Sequence, residues 1–429
     1  MRESMGRNKA RIIGAALLAS AMVFTCAVPA AASGSAAYTP VSGGTVGFEK
    51  YLTMDEEANV PNYTFNFTIA AGEAQDATAT APAVYAGNDA DKVKGTPTIG
   101  TAAFTASQET YTEVQAYPTD LGIKVEEGRE DGVEGADLLG EGEKYARSTV
   151  SVDFSGVTFN EPGIYRYVIT ESDATNPAVT NDSDATRVMD VYVVHTDDGL
   201  SVSAYVLHDS EAADPVDSDE ETKTDGYINE YTTVDVELKK TVSGNQASRD
   251  EYFKFTVVIT GTAGNVIDVD LTGADATTGT NGVNTESHTN AAQLTIGEDG
   301  TVTAEYWLQA NQYVKFLGIE KDAAYAFNED AAAMADEGYT VTAAAEGDTK
   351  TGDALKDDGT REEGAAIALS ASDLKMADTA LTADTTVTFN NDRTGIIPTG
   401  VMVTVLPGIA ILLLGAAGIV LMLRKKDRA

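Results

Sequence analysis

Tyr63-Thr64-Phe65-Asn66-Phe67-Thr68-Ile69 alternates large apolar and polar side chains at every step. Residues two apart share a face of an extended chain, so Tyr63, Phe65, Phe67 and Ile69 line one side and the polar residues the other. Period two, rich in aromatic and Thr residues, predicts a half-buried strand. The pattern recurs in Tyr165-Arg166-Tyr167-Val168-Ile169, in Val234-Asp235-Val236-Glu237-Leu238 and in Phe253-Lys254-Phe255-Thr256-Val257. Clusters of Gly, Asn, Asp and Thr between these runs read as turns and loops. Only the two terminal segments read as helical. The rest predicts an all-β chain built as immunoglobulin-like β-sandwich.

The strands repeat in the same order. Val46-Gly47-Phe48-Glu49-Lys50 precedes the Phe65/Phe67 strand, as Val236-Glu237-Leu238-Lys239-Lys240 precedes the Phe253/Phe255 strand. Tyr165-Arg166-Tyr167-Val168-Ile169-Thr170-Glu171 recurs as Tyr325-Ala326-Phe327-Asn328-Glu329, and Tyr227-Ile228-Asn229 as Phe389-Asn390-Asn391. This predicts two tandem homologous sandwich domains, 43–231 and 233–393. A joint as short as Thr232-Thr233 favours a rod. The loops 71–100 and 262–295 carry nothing diagnostic.

The ends have signals of their own. Arg2, Arg7, Lys9 and Arg11 precede an apolar run from Ile12 to Val28 and then Pro29-Ala30-Ala31-Ala32. A basic head, a short apolar stretch and small residues predict a secretory signal peptide over 1–32, cleaved near Ala32. At the other end, the uncharged run Val401 to Leu423 is long enough to span a bilayer as a helix. Arg424-Lys425-Lys426-Asp427-Arg428 follows it and would stay cytoplasmic. Ile396-Ile397-Pro398-Thr399-Gly400 stands just before the span, and the order of 396–429 resembles a cell-wall sorting signal. That resemblance implies cleavage by a sortase between Thr399 and Gly400, transfer of the Thr399 carbonyl to an amine, and an extracellular, wall-anchored product joined to peptidoglycan. The opening residues depart from Leu-Pro-x-Thr-Gly toward the Val-Pro-Thr-Gly variants.

Composition excludes several functions. The formal net charge is −38, although both ends are basic. So acidic a surface repels phosphate backbones, which argues against nucleic acid as a partner. The one cysteine, Cys26, falls within the expected leader, so the mature chain has no disulfide. His195, His208 and His288 are the only histidines and no pair has ligand spacing, so no metal site, cofactor or enzymatic centre is expected. The acidic stretch Asp214-Pro215-Val216-Asp217-Ser218-Asp219-Glu220-Glu221 lacks EF-hand spacing and reads as a solvated loop.

Strand alternation singles out three residue types. Val46 and Phe48 share a face with Lys50, and Val236 and Leu238 share one with Lys240. A lysine continuing an apolar face is unusual, because buried lysines are rare unless paired. Tyr165, Tyr167 and Ile169 lead to Glu171 on their face, and Tyr325 and Phe327 lead to Glu329. Tyr227 leads to Asn229, and Val387 with Phe389 leads to Asn391. Each repeat aims one Lys, one Glu and one Asn at its core. Lys239 and Asn390 are the neighbouring alternatives, and the lysines could also snorkel to an edge while the glutamates form ordinary ion pairs.

These segments resemble the streptococcal-type major pilin family, whose CnaB-like domains form intramolecular isopeptide bonds. The similarity runs from about residue 43 to 400. It implies Lys50–Asn229 and Lys240–Asn391 cross-links promoted by Glu171 and Glu329, a single-turnover self-modification that does not make the protein an enzyme. Burial would lower a lysine's pKa and raise a glutamate's. The neutral amine could then attack the Asn carbonyl while the acid polarises it. Proximity in the core would supply roughly 7 kcal/mol or more of the barrier. By analogy with disulfide loops, closing about 180 residues would stabilise by roughly 5 kcal/mol.

The resemblance also implies an acceptor lysine shortly before the first closing asparagine. Lys223, in Thr222-Lys223-Thr224-Asp225-Gly226, is that candidate; no Tyr-Pro-Lys sequence exists, since Thr119 follows Tyr117-Pro118. The implied role is a structural, backbone subunit of a pilus, with sortase, neighbouring subunits, peptidoglycan and host surface ligands as partners. The alternative is a monomeric wall-anchored adhesin or stalk with the same domains.

Overall fold

The computed structural model describes residues 41–395 apart from 43, 80, 113–138, 141, 198, 209–222, 225, 330, 348–366, 370–374 and 379. The expected signal peptide at 1–32 and the sorting signal at 396–429, with Thr399 and Gly400, lie outside the described residues. Among the described residues no helix is long and apolar enough to cross a membrane. The chain is nearly all strand. Its one described helix is the short Ala331–Asp336, an alanine-rich run whose residues lose little entropy on becoming helical.

The predicted strands form where the alternation places them: Tyr63–Ala71, Gly163–Glu171, Thr233–Ser243 and Phe253–Thr260. They enclose two separate cores. Around the first, one sheet runs Val179–Thr180, Gly226–Tyr231, Thr45–Asp55, Glu143–Asp153, Thr98–Ile99. The other runs Lys223–Thr224, Gly199–His208, Thr186–Thr196, Gly163–Glu171, Tyr63–Ala71, Thr101–Phe104. Around the second, a seven-stranded sheet centres on Tyr313–Glu320, Thr233–Ser243 and Thr385–Asp392. A four-stranded sheet holds Thr301–Leu308, Phe253–Thr260, Ala324–Glu329 and Lys375–Asp378.

Aromatic side chains from these sheets fill both cores. Phe48 meets Phe67 edge to face at 5.5 Å, and Phe255 meets Phe389 at 5.2 Å. Such pairs contribute about 0.5–1.5 kcal/mol beyond the apolar area they bury.

The lysine-bearing strand and the last strand of each half lie side by side and parallel, Thr45–Asp55 with Gly226–Tyr231 and Thr233–Ser243 with Thr385–Asp392. Parallel neighbours need a crossover, and here all the intervening strands provide it. The registers match: Asn229 sits opposite Leu52, two residues past Lys50, and Asn391 sits opposite Val242, two past Lys240. Glu171 pairs with Phe67 and Glu329 with Phe255.

The two lysine strands differ in their outer faces. Thr233–Ser243 alternates buried and half-buried residues throughout, the pattern of a strand with one wet face. Thr45–Asp55 is buried on both faces from Gly47 to Met54. A second aromatic layer covers its outer side, with Tyr51, Tyr145 and Tyr111 in successive contact. Glu49, also on that face, accepts a hydrogen bond from the Thr149 hydroxyl at 2.8 Å.

Between the two cores only Thr232 separates one strand from the next. Its N–H donates to the Ala178 carbonyl at 2.8 Å, and its own carbonyl accepts from the Lys321 N–H at 3.0 Å. Further bonds cross the seam. Asn176 Nδ2 donates to the Glu320 carboxylate at 3.0 Å, and the Asn62 N–H donates to Asn265 Oδ1 at 2.7 Å.

Candidate functional site: two buried Lys/Glu/Asn groups

In each half, paired parallel strands bring the lysine and the asparagine together, and the facing sheet supplies the glutamate. In the first, Lys50 Nζ lies 2.5 Å from Asn229 Oδ1 and 2.7 Å from Glu171 Oε1. In the second, Lys240 Nζ lies 2.8 Å from Glu329 Oε1, and Asn391 Nδ2 donates to the same oxygen at 2.7 Å. Both lysines are fully buried, and none of the four partners is more than 4% exposed. Aromatic rings wall the amines: Lys50 Nζ is 4.6 Å from the Phe65 ring centroid and Lys240 Nζ 4.3 Å from that of Phe253.

The register alternatives resolve by geometry. Lys239 and Asn390 are half-buried on the opposite face. Asn390 accepts from the Thr241 hydroxyl at 3.0 Å and donates to that of Ser243 at 3.1 Å, outside the core. The lysines do not snorkel; both end inside the aromatic box.

The box sets the protonation chemistry. Burial pushes Lys50 down to about 8, against the opposing pull of Glu171, and pushes Lys240 down to about 8 against Glu329. Burial raises Glu171 and Glu329 above the usual carboxylate range, although the lysines pull them back. All four shifts favour the uncharged pair, a free amine beside a carboxylic acid. Among the described residues, Glu329 Oε2 and Asn391 Oδ1 have no hydrogen-bond partner. Buried polar atoms left unpaired cost about 1–3 kcal/mol each, and apolar side chains would fill the same volume at lower cost. A group built this way is suited to reaction more than to packing.

Lys223, the candidate acceptor amine, opens the short strand Lys223–Thr224, its backbone opposite His208. Its side chain lies outside the described residues. No cluster of His, Cys, Asp and Glu able to hold a metal occurs among the described residues.

Two residues at the first site were not singled out from sequence. The Asp182 N–H donates to Asn229 Oδ1 at 3.0 Å. Its carboxylate is held by Arg187 Nη2 and by the Ile228 N–H, both at 2.9 Å. The arginine had a readable signal. It lies on the row of Met189, Val191 and Val193 in Thr186–Thr196, so it interrupts an apolar face as Lys50 does. Asp182 had none, since Asn181-Asp182-Ser183-Asp184 reads as an ordinary polar turn.

Two family profiles and several known proteins are similar to parts of this chain. Residues 46–232 match the family profile "Spy0128-like isopeptide containing domain". Residues 234–366 match one described as "Domain of unknown function (DUF7601)". A curated pilin of Streptococcus pyogenes serotype M1 is 23% identical over 283 residues, spanning 65% of this chain and 72% of that protein. The crystal structure of the major pilin from Streptococcus pyogenes aligns over 83% of this chain and 100% of its own, with 18% identity and a TM-score of 0.47. The major pilin T3.2 from Streptococcus pyogenes serotype GAS13637 aligns over 82% and 99%, with 17% identity and a TM-score of 0.48. Residues 46–232 thus resemble a Spy0128-like isopeptide containing domain, and over about two thirds of its length the chain is similar to a curated streptococcal pilin.

Proposed function

We propose that this chain is the backbone subunit of a sortase-assembled, wall-anchored pilus, made of two tandem CnaB-type domains, each closed by its own Lys–Asn isopeptide bond. The observation that carries the reading is the repetition of one buried Lys/Glu/Asn group, in one register, in both halves of the chain.

In each group the lysine lone pair attacks the asparagine Cγ, forming the Nζ–Cγ bond. Glu171 or Glu329, starting as the carboxylic acid, gives its proton to Nδ2 and then takes one from Nζ. The Cγ–Nδ2 bond breaks, ammonia leaves and the acid is regenerated. At the second group, turning the Asn391 amide half a turn would bring Oδ1 onto a protonated Glu329, where the acid polarises the carbonyl. Both bonds tie the lysine-bearing strand of a domain to its last.

Outside the domains, sortase would cleave between Thr399 and Gly400 and pass the Thr399 carbonyl to Lys223 of a neighbouring subunit, and finally to peptidoglycan. Electrophoresis of surface extracts tests this assembly. A ladder of high-molecular-weight species that disappears in Lys223→Ala is expected. A single band in the unaltered strain would point to a monomeric wall protein, and a ladder that survives Lys223→Ala would remove that lysine from the scheme.

A further inference from the structure

The two Lys/Glu/Asn groups are not equivalent, and the difference lies at the asparagine oxygen. Asn229 Oδ1 accepts a main-chain N–H, that of Asp182, at 3.0 Å. Asn391 Oδ1, equally buried, has no hydrogen-bond partner among the described residues.

The Asp182 N–H is fixed from several directions. Its own carboxylate accepts from the Ile228 N–H, one residue before Asn229, and from Arg187 Nη2, both at 2.9 Å. The second carboxylate oxygen accepts the Asp184 N–H at 3.0 Å, closing the turn on itself. Arg187 reaches on to the asparagine strand, donating through Nε to the Gly226 carbonyl at 3.2 Å, with its guanidinium 4.8 Å from the Tyr227 ring centroid. Turn and strand are thereby locked in one relative position. The two charges also offset each other at the amine: Asp182 favours the ammonium form of Lys50 and Arg187 disfavours it.

A pre-placed N–H matters because of where charge develops. When Lys50 Nζ bonds to Asn229 Cγ, the carbonyl pair moves onto Oδ1. It returns to the carbonyl as the Cγ–Nδ2 bond breaks and ammonia leaves. A donor about 2.7–3.1 Å from that oxygen stabilises the transient oxyanion in a buried site, and removing one such donor slows a reaction by about 100-fold or more. We propose that the main-chain N–H of Asp182 is the oxyanion donor for the Lys50–Asn229 reaction, with the Asp182 carboxylate and Arg187 as positioning groups. The inference rests on the reading that Lys50 and Asn229 become linked.

The direct test removes the N–H while keeping every side chain. Cell-free translation of the full chain with the α-hydroxy acid analogue of aspartate at position 182 replaces that amide by an ester. Quenched time points, digested and read by mass spectrometry, follow both cross-linked peptide pairs. The Lys50–Asn229 pair should form about 100-fold more slowly than in the unaltered chain, with Lys240–Asn391 unchanged as internal control. Arg187→Lys, which keeps the charge but loses the fork, should slow the first pair alone, and serves if the ester chain does not fold. Equal rates in the variant and the unaltered chain would overturn the inference and leave the cross-link reading standing. Absence of the Lys50–Asn229 pair in the unaltered chain would overturn both.

Discussion

Lys50 and Asn229 are 179 positions apart, yet Nζ and Oδ1 lie 2.5 Å from each other at the centre of a core. Parallel pairing of Thr45–Asp55 with Gly226–Tyr231 brings them there, and Glu171 from the facing sheet completes the group. Lys240 repeats the placement in the second core, beside Glu329 and Asn391.

The glutamates should act separately, because each touches only the lysine of its own core. Glu171→Ala should leave the first half unlinked, adding back the mass of one ammonia, and Glu329→Ala should do the same for the second. Peptide mapping reads which pair is missing. Loss of both pairs in either variant would contradict independent sites.

Mechanical behaviour should follow the cross-links. Under force applied at the chain ends, the Lys50–Asn229 segment should not extend, because tension would pass through the bond from the lysine-bearing strand to the last. Single-molecule pulling of Lys50→Ala should release a new extension of about 180 residues, roughly 3.3–3.6 Å each. That same extension in the unaltered chain would refute the mechanical role.

Unlinked chains should show an unusual pH dependence. In Asn229→Ala the amine and acid remain and cannot join. Lys50 titrates at about 8 when folded, below its ordinary 10.5, so the folded chain binds fewer protons than the unfolded one between those values. Its contribution to stability therefore rises with pH across that window. Glu171 works oppositely. Its folded pKa is raised above 4.5, so its contribution is greatest below 4.5 and is lost as pH climbs through the raised value. Urea midpoints should place Asn229→Ala/Lys50→Met above Asn229→Ala at neutral pH, with the gap closing from about pH 8 upward. A pH-independent gap would contradict the assigned burial cost.

Between the halves, stiffness should depend on Asn176. Its side-chain amide reaches across to Glu320, whose carboxylate also receives Asn265 Nδ2 at 3.1 Å and the Thr262 hydroxyl at 2.9 Å. Asn176→Ala removes a cross-seam donor while leaving both cores intact. Small-angle scattering should then show a broader distribution of end-to-end distances with unchanged melting of the cores. An unaltered distribution would mean that Thr232 and the Asn62 contacts suffice.

Much of this is legible in the residues alone. Alternation locates the main strands, and extending it past the apolar residues places Lys50, Glu171 and Asn229 on inward faces, with Lys240, Glu329 and Asn391 repeating them. The double burial of Thr45–Asp55 is not legible, because its cover comes from Tyr111 and Tyr145, far along the chain, and from pairings no local pattern encodes. Short strands such as Val84–Ala86 and Val266–Asp270 fall within loops that look featureless, since so few residues show no clear period. Asp182 acts through its backbone, which every residue shares, so its side chain gives no hint. The seam bonds of Asn176 and Asn62 likewise join polar residues that locally read as turn.

The intact mass of the segment that holds both cores tests the central claim most directly. A chain with both bonds closed weighs two ammonias less than its sequence requires, and tandem spectra join the Lys50 peptide to that of Asn229 and the Lys240 peptide to that of Asn391. A mass equal to the sequence mass, from folded protein, would contradict the account.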